Sequence, residues 1–413
     1  MSKSTLKKDY FWNTIGVFLQ NATSPLLLIA ITRINGIDTT GLFSFAFALS
    51  IVLFAFGLWG GRTYQVSDVK REFDHRSYIV ARIILAVSMV AVAILFVLAN
   101  GYDMYKSTVI LVLVVYKAVE SIADSIYGVL QVHNGLSYVG KSLLYKSALG
   151  LIAFLVVDIL TGNIILSSIA IVLVNVIFVV LYDVHLARKF EDIRIKTNFI
   201  QVYVREAGAI LKRTAVIFAV TFLATFSINI PRFFIDKYDS EQIGYFGILA
   251  MPITLIALFM SFILQPNMVQ LTKMYGRGNY QEFKKVINKV MAVTLGFGVV
   301  VAIGTLVVGV PLLNTIFGVD FSQHKTELMI MIIGGIANAF VAIFIVLLTI
   351  MRKFKAQFYT LLCTNLLLVV VSSILVQGYG ILAGVSLFAL ANIAQTIILM
   401  SVYSTILRKK SSE

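Results

Sequence analysis

Apolar residues run along this chain in long blocks separated by short polar breaks. The blocks fall at about 11–32, 41–61, 79–99, 107–130, 143–161, 164–185, 214–235, 242–265, 287–311, 328–350, 357–376 and 380–402. A helix needs about 20 predominantly apolar residues to cross a hydrocarbon core, and most of these blocks reach that length. Within a bilayer every backbone polar group must find its partner inside the segment, which selects helices over open strands. The pattern therefore predicts an all-α integral membrane protein of about twelve transmembrane helices. The narrowest break is Thr161-Gly162-Asn163, between the fifth and sixth blocks.

The longest polar connection, 186–213, sits midway and divides the helices six and six. The expected organisation is a six-helix lobe at 1–185, a basic cytoplasmic linker at 186–213, and a second six-helix lobe at 214–413. A short repeat supports the division. Gly41-Leu42-Phe43-Ser44 opens the second block and Gly244-Tyr245-Phe246-Gly247 the eighth. An acidic residue, Asp38 or Glu241, precedes each by three positions, and each follows a block interrupted by Pro25 or Pro231. With an even number of spans per half, the lobes share orientation and are expected to be related by a pseudo-two-fold axis along the membrane normal.

Composition and charge sharpen this picture. The chain is 59% hydrophobic and 13% charged, whereas soluble domains average about a quarter charged residues, so it could not cover a water-facing surface. Its 34 Lys and Arg residues are distributed unequally. The N-terminal tail (Lys3, Lys7, Lys8), the second connection (Arg62, Lys70, Arg71, Arg76, Arg82), Lys141 and Lys146, the central linker, the eighth connection (Lys273, Arg277, Lys284, Lys285, Lys289), Arg352, Lys353 and Lys355, and the C-terminal Arg408-Lys409-Lys410 fall on one side. Arg33, Lys106, Arg232, Lys237 and Lys325 fall on the other, and Lys117 lies within a span. Excess Lys and Arg mark cytoplasmic loops, so both termini are expected in the cytoplasm. The net charge of +14 is scattered over short loops instead of forming a basic face, which argues against nucleic acid as a partner. The N-terminal segment lacks the cleavage pattern of a signal peptide. The single cysteine, Cys363, lies in an apolar run and reads as a small lipid- or core-facing side chain.

Candidate chemistry concentrates in the fourth block, VVYKAVESIADSIYGVLQ. Lys117, Glu120, Asp124 and Tyr127 are spaced three, four and three apart, so they share one helical face, which Ser121 and Ser125 widen. Charges at mid-membrane are expensive and must face a wet cavity or each other. One reading is a hydrophilic path in which Lys117 meets an anionic substrate and Glu120 or Asp124 exchanges ions. The other is a structural Lys117–Glu120 pair that stitches helices together. In the seventh block Pro231 interrupts the helix, and Arg232 with Asn229 offers a forked donor suited to phosphate; alone, Arg232 reads as snorkelling to the interface. Gln20, Asn21, Thr23 and Ser24 cluster around Pro25 in the first block, with Arg33 at its outer end. Arg62 reads as an interface anchor, and Gly57 with Gly61 as a close-packing face. The basic stretch 276–290 reads as an interfacial helix.

No phosphate-binding GxxxxGK[ST] loop or nucleophile elbow occurs. The four histidines are far apart in sequence, and no cofactor or metal is expected. No connection is long enough to hold a catalytic domain.

Three segments carry a resemblance: WNTIGVFLQNATSPLLLIAITRI (12–34), YQVSDVKREF (64–73) and SINIPRFFIDKYDSEQIGYFG (227–247). Together they resemble bacterial polysaccharide flippases of the Wzx type, within the multidrug/oligosaccharidyl-lipid/polysaccharide exporter superfamily. The resemblance implies two lobes in a MATE-like V that alternate between inward and outward openings. It implies a non-enzymatic transporter in the bacterial cytoplasmic membrane, serving O-antigen or capsule synthesis. The implied cargo is an undecaprenyl-diphosphate-linked oligosaccharide, and the implied partners are membrane lipids and polysaccharide polymerase machinery. Substrate contacts are then expected from Lys117, Arg232, Arg33, Asn229, Gln20 and Asn21, and ion coupling from Glu120 and Asp124. Two other functions compete. An organic-cation exporter of the same superfamily would want an acidic, aromatic cavity. A membrane-embedded polymerase would want a long basic external loop, and the segment 312–327 is short with one lysine.

Overall fold

The computed structural model describes residues 3–68 and 70–412, apart from the side chains of residues 3–7, 258, 261, 262, 265, 266, 269, 411 and 412. All regular structure among them is helical. In order, the helices are α1 (Lys3–Asn35), α2 (Ile37–Leu58), α3 (Gly61–Ser67), α4 (His75–Asn100), α5 (Met104–Val132), α6 (Leu136–Thr161), α7 (Ile164–Phe178), α8 (Val184–Arg188), α9 (Ile200–Tyr238), α10 (Ile243–Leu249), α11 (Met251–Gly276), α12 (Tyr280–Gly304), α13 (Val310–Phe317), α14 (Lys325–Ile350) and α15 (Phe354–Ser412). Wide π turns at Val179–Asp183 and Thr305–Gly309 join α7 to α8 and α12 to α13.

Ten of the described segments are long and apolar enough to cross a membrane. That total differs from the twelve apolar blocks for two local reasons. Helix α5 has the length, but Lys117, Glu120 and Asp124 fall within it, too many charges for a plain lipid-soluble span. The final run, Phe354–Lys410, counts once although Gly380 breaks it, with φ 53° and ψ −135°. Ile381 N–H donates to the Asp239 carboxylate there at 3.1 Å. A Cβ on Gly380 would sit 2.2 Å from that carboxylate oxygen, so the break requires glycine both by conformation and by space. Large apolar side chains cover the outer helical faces: Leu98 is 72% exposed and Leu160 78% exposed. Exposure of that kind is costly in water and neutral in lipid. The chain is a multi-pass membrane protein.

Helix ends follow local chemistry. Asp74, Asp103 and Asn163 cap α4, α5 and α7 by accepting backbone N–H groups at 2.8, 3.0 and 3.0 Å, which satisfies donors left free in a first turn. Gly101 and Gly162 close α4 and α6 in the left-handed conformation.

The chain divides into two compact units, 1–222 and 223–413. In the first, α1 lies against α6 with almost no side chain between them. A Cβ on Gly16 would fall 2.2 Å from the Gly140 carbonyl oxygen, and one on Gly140 would fall 2.3 Å from the Trp12 backbone. Asp9 ties the same pair by accepting from Ser137 N–H at 3.1 Å. The glycines singled out in the sequence, Gly57 and Gly61, approach side chains instead: Met89 Sδ and the Arg82 guanidinium. The core of this unit gathers Ile126, Tyr127, Leu130, Val139 and Leu143.

The polar connection expected at 186–213 is only partly a linker. Residues from Ile200 onward form the start of α9, whose 39 residues span about 58 Å at about 1.5 Å each, well beyond a hydrocarbon core. Tyr203 and Ala207 pack on Val80 and Ala81, and Trp59 Nε1–H donates to the Leu211 carbonyl at 2.9 Å. This stretch therefore belongs to the first unit, and the division lies later than the polar pattern suggests. The basic stretch 276–290, likewise, is not a separate interfacial helix; from Tyr280 it forms the first turns of α12.

In the second unit, Met260, Phe283, Ile287, Phe344, Leu347, Leu399 and Tyr403 form the core. Gln395 Nε2–H donates to Ser227 and Thr364 hydroxyls, each at 2.9 Å. The repeated features of the sequence fall on matching elements. Pro25 lies inside α1 and Pro231 inside α9, while Asp38 and Glu241 lie in the first turns of the helical elements that follow.

Candidate functional site

Helix α5 carries Lys117, Glu120 and Asp124 within its length, and the structure buries most of this polar face within the first unit. Lys117 Nζ lies 2.7 Å from Glu120 Oε2, with both side chains nearly sealed from solvent. The spacing of three residues places the two on one face. Glu120 also accepts from Gln20 of α1 at 3.2 Å and from the Tyr116 hydroxyl at 3.3 Å. The ammonium of Lys117 further stands over the rings of Phe47, Phe54 and Tyr116, at 5.1, 5.3 and 4.8 Å from their centroids. An ammonium facing aromatic rings and a carboxylate is well compensated for lost water.

One turn further along, Asp124 is held by two arginines. Arg82 donates to Oδ2 at 2.8 Å and Arg62 to Oδ1 at 3.3 Å. Arg82 also donates to the carbonyls of Gly57 and Leu58, the open end of α2, where a cation satisfies both the free acceptors and the helix dipole. Arg62 reaches the Gln131 side chain at 2.9 Å and lies over the Tyr127 ring at 5.7 Å. Far from being a simple interface anchor, it is a half-buried member of this network.

Tyr127 begins a second cluster. Its hydroxyl meets Lys146 Nζ at 2.9 Å, Ser142 Oγ at 2.9 Å and Asp183 at 3.3 Å. Ser142 donates to Asp183 at 2.5 Å. The Lys117–Glu120 pair and the Lys146–Tyr127–Asp183 chain thus share one interior along α5, α6 and the π turn.

The other sequence candidates sit apart from this network. Asn21 is exposed and donates to the Val17 carbonyl of its own helix at 2.8 Å. Arg33 is exposed at the end of α1. In the second unit, Asn229 donates to the Thr225 carbonyl one turn back at 2.8 Å, and Arg232 lies over the Phe246 ring at 5.4 Å. Cys363 is exposed on an apolar face of α15.

Three members of the network were not legible as such. Lys146 reads in sequence as a loop lysine, Arg82 as a helix-end cation, and Asp183 as an unremarked residue in the sixth block. Their partners lie 19, 42 and 41 positions away, so no local spacing announces them. The one available signal was that intramembrane charges tend to come in compensating sets.

No protein-family model matches the chain. It is 24% identical over 330 residues to the capsular polysaccharide biosynthesis protein CapF of Staphylococcus aureus, covering 79% of this chain and 81% of that protein. Among solved structures it superposes on an inward-facing multidrug resistance MATE family transporter of the MOP superfamily, with a TM-score of 0.72, 11% identity, and coverage of 97% and 99% of the two chains. A MOP superfamily transporter from Pyrococcus furiosus, described as having reversed polarity of its binding pocket, matches at a TM-score of 0.65 with 13% identity over 98% and 96%. A eukaryotic MATE transporter matches at 0.63 with 12% identity over 98% of each chain. The chain has the MATE transporter fold over nearly its whole length.

Proposed function

We propose that this protein is a flippase that carries an undecaprenyl-diphosphate-linked oligosaccharide from the inner to the outer leaflet of the bacterial cytoplasmic membrane, for surface polysaccharide synthesis. The observation that carries the reading is the full-length match in fold to MATE exporters, combined with sequence kinship over 330 residues to a capsular polysaccharide biosynthesis protein. A flippase must shelter a sugar chain and a diphosphate from hydrocarbon while the polyprenyl tail stays in the bilayer. Side chains that can release one charge partner to take another suit that task. In this reading the Lys117–Glu120 pair is such a device: exchange of a proton or sodium ion at Glu120 frees Lys117 for the anionic cargo, with Gln20 beside it. Asp124, already serving two arginines, holds α5 to α2 and α4 and leaves the coupling to Glu120. Arg33, Asn21, Asn229 and Arg232 remain candidates for cargo contacts outside this network.

The test is reconstitution of the full chain into proteoliposomes containing a fluorescent polyprenyl-diphosphate oligosaccharide. Transbilayer movement is read by a membrane-impermeant quencher. Protein-dependent quenching that Lys117→Ala abolishes in a folded variant is the expected result. Movement at the rate of empty vesicles would overturn the reading. The rival, organic-cation export, draws on the multidrug transporters among the similar folds. Protein-dependent efflux of an ethidium-type dye, without oligosaccharide movement, would favour it.

A further inference from the structure

On the flank of the first unit, away from the buried network, a groove of about 400 Å³ runs between α4, α5, the α7–α8 π turn and the stretch 193–195. Its walls are aliphatic, including Ile83, Val119, Ile126, Val180 and Ile195, and the side chains that interrupt this lining are two arginines, Arg188 and Arg194. The volume falls within the roughly 300–1,000 Å³ of small-molecule sites. We propose that this groove is a binding site for an anionic diacyl phospholipid, with one acyl chain along the aliphatic wall and the headgroup phosphate on Arg188 and Arg194.

The charge arrangement selects an amphiphile. A purely apolar occupant would gain nothing from two guanidinium groups at the mouth, whereas their forked donors match phosphate oxygens. Arg188 has no ion pair among the described residues, and it is exposed. Arg194 pairs with Asp192 at 3.1 Å, but Asp192 also serves Arg76 at 3.4 Å, so the cluster keeps a positive excess. Access is lateral: Val180 is 56% exposed on the same outward face that meets lipid, so a phospholipid enters from its own leaflet. Basic clefts where membrane helices emerge commonly hold anionic headgroups.

The π turn shows why the site lies here. It adds a residue to one turn, letting Asp183 point inward to Ser142 and Tyr127 while Val179 and Val180 face the groove. The same α5 presents Glu120 to the interior and Val119 and Ile126 to the groove.

Native mass spectrometry of the full chain in mild detergent tests this, using phosphatidylglycerol and phosphatidylcholine of identical chains as probes. One phosphatidylglycerol should be retained about tenfold more tightly than phosphatidylcholine, the order that one or two arginines near an anionic headgroup supply. The Arg188→Gln, Arg194→Gln double variant should abolish that preference, and Val180→Trp should weaken retention of both lipids. All three positions are exposed, so the fold should survive, and gel filtration checks it. Equal retention of the two lipids, or an unchanged preference in the double variant, overturns the proposal. Displacement of phosphatidylglycerol by polyprenyl phosphate at lower concentration, or by inorganic phosphate alone, also overturns it, by reassigning the groove or the cation pair.

Discussion

At the residue scale, the interior of the first unit is decided by compensation between charges. Removing one member of a buried pair leaves the other uncompensated, at a cost of about 3–5 kcal/mol, whereas replacing both is often neutral. Lys117→Met alone should therefore lower the thermal midpoint of the detergent-solubilised protein. Adding Glu120→Gln should restore it, since a glutamine still accepts from Gln20 and Tyr116. The rescued double variant then separates two roles. If the pair only stitches helices, cargo movement returns with stability; under the flippase reading, stability returns and movement does not. The sequence revealed this pair because its members stand three apart on a helix otherwise fit for lipid. It could not reveal that Lys146 and Asp183 complete the set, because those partners come from different helices and meet only through tertiary packing. Asp124 shows the converse: its position on the stripe was legible, but its two arginine partners, Arg62 and Arg82, were not.

At the element scale, backbone proximity matters as much as polar contact. Helices α1 and α6 touch at Gly16 and Gly140, where an added methyl group would meet backbone atoms that cannot turn aside. Gly140→Ala should destabilise the first unit by about 1–3 kcal/mol, the usual cost of overpacking, visible as a lower melting midpoint. Gly208→Ala, where a Cβ meets nothing within 4 Å on α9, should not lower it and should raise it slightly, since alanine gains about 0.5–1 kcal/mol over glycine within a helix; this variant serves as the control. The connection between α3 and α4 supplies a pH-dependent example. Glu72 binds Arg213 of α9 at 2.5 and 2.7 Å, and the hydrogen bonds from Arg213 hold its carboxyl below the usual carboxylate range. A carboxylate with a depressed pKa stabilises the folded state above its unfolded value, about 4.3, and loses that contribution as pH falls through the folded value. Proteolytic nicking near residues 70–74 should thus increase as pH drops below about 4.3, and Glu72→Gln should show the increase at neutral pH. Such contacts explain why a polar stretch read as a linker folds partly into a long helix: its polar residues serve the first unit instead of water alone.

At the scale of the whole molecule, the membrane-spanning character was legible because the bilayer imposes one length on every crossing. The twelve apolar blocks and the ten spans among the described residues differ at two places, the charge density in α5 and the single glycine in α15. An even number of crossings, combined with the concentration of Lys and Arg in alternate connections, predicts that both termini face the cytoplasm. Cysteine labelling tests this in a background where Cys363, exposed on an apolar face of α15, is replaced by alanine. Thr161→Cys and Gln323→Cys occupy exposed positions in connections poor in basic residues, and Asn198→Cys and Arg277→Cys occupy exposed positions in connections rich in them. A membrane-impermeant maleimide added to intact cells should modify the first two and reach the second two only after lysis. Labelling in the reverse order would invert the orientation, and with it the leaflet from which the groove ending at Arg188 draws its lipid and the face from which cargo is loaded. Orientation thus follows from many weak charge preferences acting together, and four labelled positions are enough to test their sum.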